Sequence, residues 1–145
     1  MLLDVAEGGP VAVALRERGS GDDEAATGGA PEPSVGWVVL PTAFGIDPRP
    51  SLVLVNGTDR TVTAQLRLLR EGGASSDATT VSVPAHAAAA APNTFLRADH
   101  TAAVLVSADG PVIALGAGAA GSGASARYAT ALGVPVPAGT FTPAP

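Results

Sequence analysis

Apolar and polar residues alternate along several short stretches of this chain, and proline, glycine or asparagine closes almost every one of them. The clearest stretch is Thr61 to Leu69. Val62, Ala64, Leu66 and Leu68 fall on one side, and Thr63, Gln65 and Arg67 on the other. A period of two is the mark of a strand with one buried and one wet face. Ser51 to Val55 reads as its partner strand. Between them Asn56-Gly57-Thr58-Asp59-Arg60 is the turn, with Asn-Gly supplying the positive φ angles that a tight turn wants.

The rest of the chain carries weaker versions of the same pattern. Val35 to Leu40 is an apolar strand that stops at Pro41, and Thr79 to Val83 is one that stops at Pro84. Ala102 to Ser107 and Pro111 to Leu115 read as two arms of a hairpin turned at Ala108-Asp109-Gly110. Arg127 to Val136 is a last apolar segment. Ala85 to Ala91 has the composition of a helix, but Pro84 and Pro92 limit it to about two turns, which is marginal in isolation. An extended or turn segment leading into Thr94 to Arg97 is the favoured reading. At the start, Leu3 and Val5, the turn Glu7-Gly8-Gly9, and Val11, Val13 and Leu15 make a hairpin.

Many short strands between turns predict an all-β fold, a two-sheet antiparallel sandwich of seven to nine strands, similar in plan to immunoglobulin-like domains. The expected inner face includes Val53, Val55, Val62, Leu66, Leu68, Val81, Val83, Val104, Val106 and Val112. The expected division is a hairpin over 1–16, a charged and Gly/Ala-rich flexible loop or linker over 17–34, the sandwich over 35–137, and a disordered Pro-rich tail over 138–145. Glu7-Gly8-Gly9-Pro10-Val11 resembles Ala108-Asp109-Gly110-Pro111-Val112, and Gly-Ser-Gly follows each, at 19–21 and at 121–123. That reads as a tandem repeat caught slightly more than once, with 1–16 either the tail of a preceding unit or strands added to this one.

Composition narrows the function classes. At 145 residues the chain fits one domain. Its 46% hydrophobic content is mostly alanine, valine and leucine, and 18 glycines and 13 prolines leave little room for long helices. The net charge is -5, and all eight basic residues are scattered arginines, so no basic stripe is available for a nucleic acid. There is no cysteine, which excludes disulfides and thiolate metal sites. No run approaches the roughly 18 apolar residues of a membrane-spanning helix. Any anchor would belong to flanking segments.

The motifs that suggest chemistry each have a plainer explanation. Gly116-Ala117-Gly118-Ala119-Ala120-Gly121 matches a dinucleotide-binding glycine pattern after a strand, yet no Asp or Glu follows Asp109 to hold a ribose. A flexible exit from a hairpin accounts for it better. His86 and His100 sit beside turn residues, and Asp99 next to His100 does not make triad geometry. Asp22-Asp23-Glu24 lacks the spacing of a calcium loop and reads as a solvated acidic loop. Asn56-Gly57-Thr58 has the form of a glycosylation sequon, but its turn role explains it. Trp37 could be a sugar-stacking platform; in a core short of large side chains it fits better as the packing anchor. No catalytic, cofactor or metal site is expected.

Trp37-Val38-Val39-Leu40-Pro41, then Leu52-Val53-Leu54-Val55-Asn56-Gly57, Val62 to Leu69, Val81-Ser82-Val83-Pro84-Ala85 and Val104 to Ala114 run in an order that resembles the actinobacterial domain of unknown function 5719. The resemblance covers about residues 36–137. It departs at His86, where the family has a small turn residue, and at Gly57, where it has proline. What it implies is an exported or membrane-anchored envelope protein built from tandem immunoglobulin-like sandwiches. The expectation for function is then a non-catalytic structural or interaction module of the bacterial cell envelope or of a secreted protein. Its partner would be a protein or a cell-wall glycan, met by the loops. Phe44, Ile46 and Arg49 in the 41–50 loop are the candidate contact residues, with the 71–78 loop second. The alternative is a carbohydrate-binding accessory domain of an envelope enzyme.

Overall fold

The computed structural model describes residues 14–18, 24–28, 32–40, 51–70, 72, 77–96, 101–120 and 127–137. Ten strands and one helical turn occupy them. They are β1 (Ala14–Arg18), β2 (Glu24–Gly28), β3 (Ser34–Val39), β4 (Ser51–Asn56), β5 (Val62–Arg70), β6 (Thr79–Val83) and β7 (Ala87–Ala90), then α1 (Asn93–Leu96), β8 (Thr101–Ala120), β9 (Arg127–Leu132) and β10 (Val134–Pro135). Every pairing among them is antiparallel. β3 to β10 form one eight-stranded sheet, while β1 and β2 form a separate two-stranded one.

The eight-stranded sheet is organised by β8. Its first part is flanked by β3 and β5, with β10 beyond β3 and β6 beyond β5. Its second part is flanked by β4 and β9, with β7 beyond β4. The two halves fold over a single core that includes Trp37, Val39, Leu52, Leu54, Leu66, Val83, Val104 and Ala114. The result is a largely antiparallel β domain that resembles a β-sandwich.

Two of the expected elements take a different form. Ala108-Asp109-Gly110 does not reverse the chain: β8 runs on through it as one 20-residue strand. The residues that make a turn also make a bulge, and here they bend a strand from one half of the sheet into the other. Ser34 pairs with Val112 and Gly36 with Ser107, so a short step on β3 spans a longer stretch of β8 at this bend. β1 begins in the end of the expected 1–16 hairpin, whose other residues lie outside the described ones, and continues into the expected loop, where it pairs with β2 from Ala14–Gly28 to Arg18–Glu24.

The phase of β4 also differs from expectation. Leu52, Leu54 and Asn56 are fully buried, whereas Val53 and Val55 are half-buried on the opposite face. Ser51 to Val55 is apolar in both phases, and the buried asparagine decides between them. The other expected inner residues, Val62, Leu66, Leu68, Val81, Val83, Val104, Val106 and Val112, are buried. The alanine run is extended, as β7, and pairs with β4 from Val53–Ala90 to Asn56–Ala87. α1 then turns Leu96 into the core and packs Phe95 against it.

Candidate functional site

Three short connections converge at one end of the sheet: the β4–β5 turn, the β6–β7 turn and the bend in β8. At their centre is Asn56. Its Nδ2 donates to the carbonyl oxygens of Arg60 (2.8 Å), Val83 (3.0 Å) and Pro84 (3.0 Å). Its Oδ1 accepts from Thr58 N (2.9 Å) and Thr58 Oγ1 (2.7 Å). One buried side chain thereby satisfies backbone carbonyls on both turns, which would otherwise be costly to bury.

The turn itself is not the expected one. Gly57 does not take a positive φ; the only described residues that do are His86, at 50°, and Gly72, at 88°. Asn56 shapes the turn through its side chain, accepting from the backbone two residues on, in the manner of an Asx turn. The same bonds leave Nδ2 no room to carry a glycan, in agreement with the turn reading of the sequon.

A second clasp joins this turn to the bend in β8. Arg60 Nη2 donates to the Asp109 carbonyl at 2.6 Å, and Nη1 lies 3.5 Å from Asp109 Oδ1. Asp109 Oδ1 accepts from Thr63 N at 3.0 Å, just beyond the last backbone pair of β5 with β8, Ala64–Ala108. Gly110 is required here, because a Cβ would stand 2.7 Å from Arg60 Nη2 and 2.9 Å from Val62 Cγ2. Sequence reading missed this clasp. The available signal was an aspartate between apolar segments, and it was spent on a hairpin turn.

His86 Nε2 lies 2.8 Å from Asp59 Oδ1, with the carboxylate fully exposed and the imidazole nearly half so. Its backbone N–H donates to the Thr58 carbonyl at 3.2 Å. The pair is a solvent-side strap between turns, as expected for a solvated histidine. The neighbouring hydroxyl, Thr58 Oγ1, is turned to Asn56 Oδ1 and the Arg60 carbonyl, so it offers His86 no nucleophile to activate. Among the described residues no group of three His, Cys, Asp or Glu side chains comes together as a metal would need. No helix among them is long and apolar enough to cross a membrane.

Trp37 is the packing anchor. It is fully buried, and its Nε1 donates to the carbonyls of Ser34 (3.1 Å) and Val112 (2.9 Å). Gly116 to Ala120, the start of the glycine pattern, continues β8 and pairs with β9 from Gly116–Ala131 to Ala120–Arg127. That backbone is committed to a ladder and does not form a phosphate-cradling loop. Phe44, Ile46, Arg49 and His100 lie outside the described residues, as do Asp22 and Asp23 and most of the 71–78 loop. Leu40 and Val134 are the exposed large hydrophobic residues among the described ones, at 48% and 56%. Val134 lies on β10 and pairs with Val38 of β3, and Leu40 directly follows the end of β3, where the chain enters the 41–50 loop.

No protein-family model and no curated protein matches the chain. Among solved structures, the crystal structure of Thermotoga maritima 1070 superposes with a TM-score of 0.57. It covers 72% of this chain and 96% of its own, at 13% identity. The likeness is one of fold alone.

Proposed function

We propose that this chain is a non-catalytic structural or interaction module of a bacterial cell-envelope or secreted protein. In this reading the sheet closes as an immunoglobulin-like sandwich, and the 41–50 loop meets a protein or glycan partner. The observation that carries it is that the exposed large hydrophobic residues among the described ones, Leu40 and Val134, fall just past the end of β3 at the root of that loop and on its partner strand β10. Exposed apolar residues that gather at a loop mark a contact surface more often than scattered ones do. The polar side chains that gather at the opposite turns are spent on backbone groups, which suits a scaffold. The sequence resemblance to the actinobacterial domain of unknown function 5719 supports the extracytoplasmic setting.

The reading is tested by co-sedimentation of the purified chain with actinobacterial envelope preparations, before and after their proteins are digested. Binding that is lost in the double variant Leu40→Glu/Phe44→Ala, with the far-UV circular dichroism unchanged, is the expected outcome. A wild-type chain that stays in the supernatant would sink it. The carbohydrate-binding alternative has lost its best platform, because a fully buried Trp37 offers no ring face to a sugar. It would be favoured by binding that survives both digestion of the proteins and the Leu40→Glu/Phe44→Ala change.

A further inference from the structure

Asn56 is followed by Gly57, and this pair has a chemistry of its own. The Gly57 backbone nitrogen, unhindered by a side chain, can attack the Asn56 Cγ. The new N–Cγ bond closes a succinimide, the Cγ–Nδ2 bond breaks, and ammonia leaves with the proton from Gly57 N. Water then opens the ring at either carbonyl to give aspartate or isoaspartate at position 56.

The folded arrangement opposes each step. Asn56 is fully buried, and both ends of its amide are fixed by the bonds to Arg60, Val83, Pro84 and Thr58. Carrying Cγ onto Gly57 N would break them together. The leaving nitrogen must gain a proton, yet its described partners are all carbonyl oxygens, which only accept. The two donors on Oδ1 polarise Cγ but do nothing for the leaving group. Gly57 itself is exposed with open space about it, so no packing at that residue restrains the reaction once the turn opens.

We propose that Asn56-Gly57 is a deamidation site that the fold holds shut, and that reaction during an opening of the β4–β5 turn removes the molecule from the folded population. The product would point oxygen, in place of the donating Nδ2, at three carbonyl oxygens in a buried site. With no donor among the described partners of that atom, it has nothing to close on.

Peptide mass spectrometry at position 56, on the full chain held in buffer and in urea at the same pH and temperature, tests this. Conversion in buffer should be slower by more than about tenfold, the factor that an opening cost of about 1.4 kcal/mol imposes on a rate. Equal rates would overturn the protection. On dilution from urea, the fraction that fails to refold should rise in step with conversion, and refolded molecules should retain asparagine. Refolded molecules as rich in the converted residue as the whole sample would overturn the exclusion. Gly57→Ala has room for its Cβ and hinders ring closure. It should keep both the asparagine and the capacity to refold for longer in urea, and an unchanged loss of refolding in that variant would also count against the proposal.

Discussion

The part of the sheet built on β5 and β6 and the part built on β4 and the end of β8 bury equivalent inner faces but turn different residues outward. On β5 and β6 the outward positions include Thr63, Gln65, Thr80 and Ser82, all exposed. On β4 and β8 they are Val53, Val55, Ile113 and Leu115, all half-buried and outside the core. The register lines them up directly, Val53 with Leu115 and Val55 with Ile113. The first part is finished by water, as an antiparallel sheet usually is. The second has apolar side chains on both faces, and its outer face is apolar across the pair of strands that form its centre. The difference shows that one sheet can carry two kinds of surface when a single strand passes between them.

Alanine substitutions at matched positions break this comparison most sharply. Leu54→Ala opens the shared core and should cost about 2–5 kcal/mol. Val53→Ala, one residue away on the outer face, removes partly buried apolar area and should cost about 1 kcal/mol. Gln65→Ala, on the wet face of β5, should stay within about 0.5 kcal/mol of the wild type. Urea unfolding midpoints give the order directly. A Val53→Ala loss as large as that of Leu54→Ala would place β4 in the opposite phase.

The bend that joins the two parts is the next point of attack. Gly110→Ala sets a methyl group against Arg60 Nη2 and Val62 Cγ2. The arginine can swing away, but Val62 is buried and cannot, so the expected cost is about 1–3 kcal/mol. Adding Arg60→Ala relieves one of the two contacts and should recover part of that loss, as a double-mutant cycle on the same midpoints would show. Full recovery would mean that the core at Val62 imposes no constraint on the bend.

What the sequence makes legible follows the same division. β5 is readable because every residue from Val62 to Leu68 votes for one phase, and its predicted face is the buried one. β4 is not, because Leu52-Val53-Leu54-Val55 satisfies either phase. The vote that decides is cast by Asn56, whose burial depends on carbonyls from Val83 and Pro84, far along the chain. β8 was misread for a related reason. Asp109-Gly110-Pro111 has the local chemistry of a turn, and only the partners Thr63 and Arg60 distinguish a bend in a continuous strand from a reversal. Proline limits on the alanine run and the burial of Trp37 were local enough to read correctly. The charged stretch that carries the end of β1 and all of β2 offers no alternation, so their pairing left no trace in composition. The proposed contact residues Phe44, Ile46 and Arg49 rest on the sequence alone, and the polar clasp around Asn56 and Asp109 came from the structure alone.

A smaller effect than that at the bend lies at the short link between β6 and β7, where His86 combines a left-handed φ with its strap to Asp59. Which of the two matters can be separated by a pair of variants. His86→Ala keeps the Cβ that strains a left-handed backbone and loses the strap; His86→Gly loses both. Because the Asp59 carboxylate is fully exposed, salt and water screen the strap, and backbone strain should dominate. The glycine variant should then be more stable than the alanine variant by about 1 kcal/mol, read as a difference between two urea midpoints. If the two variants instead fall together, and Asp59→Ala falls with them, the strap holds the turn and the backbone does not. The link between the two parts of the sheet would then be set by a surface contact and not by a strained φ.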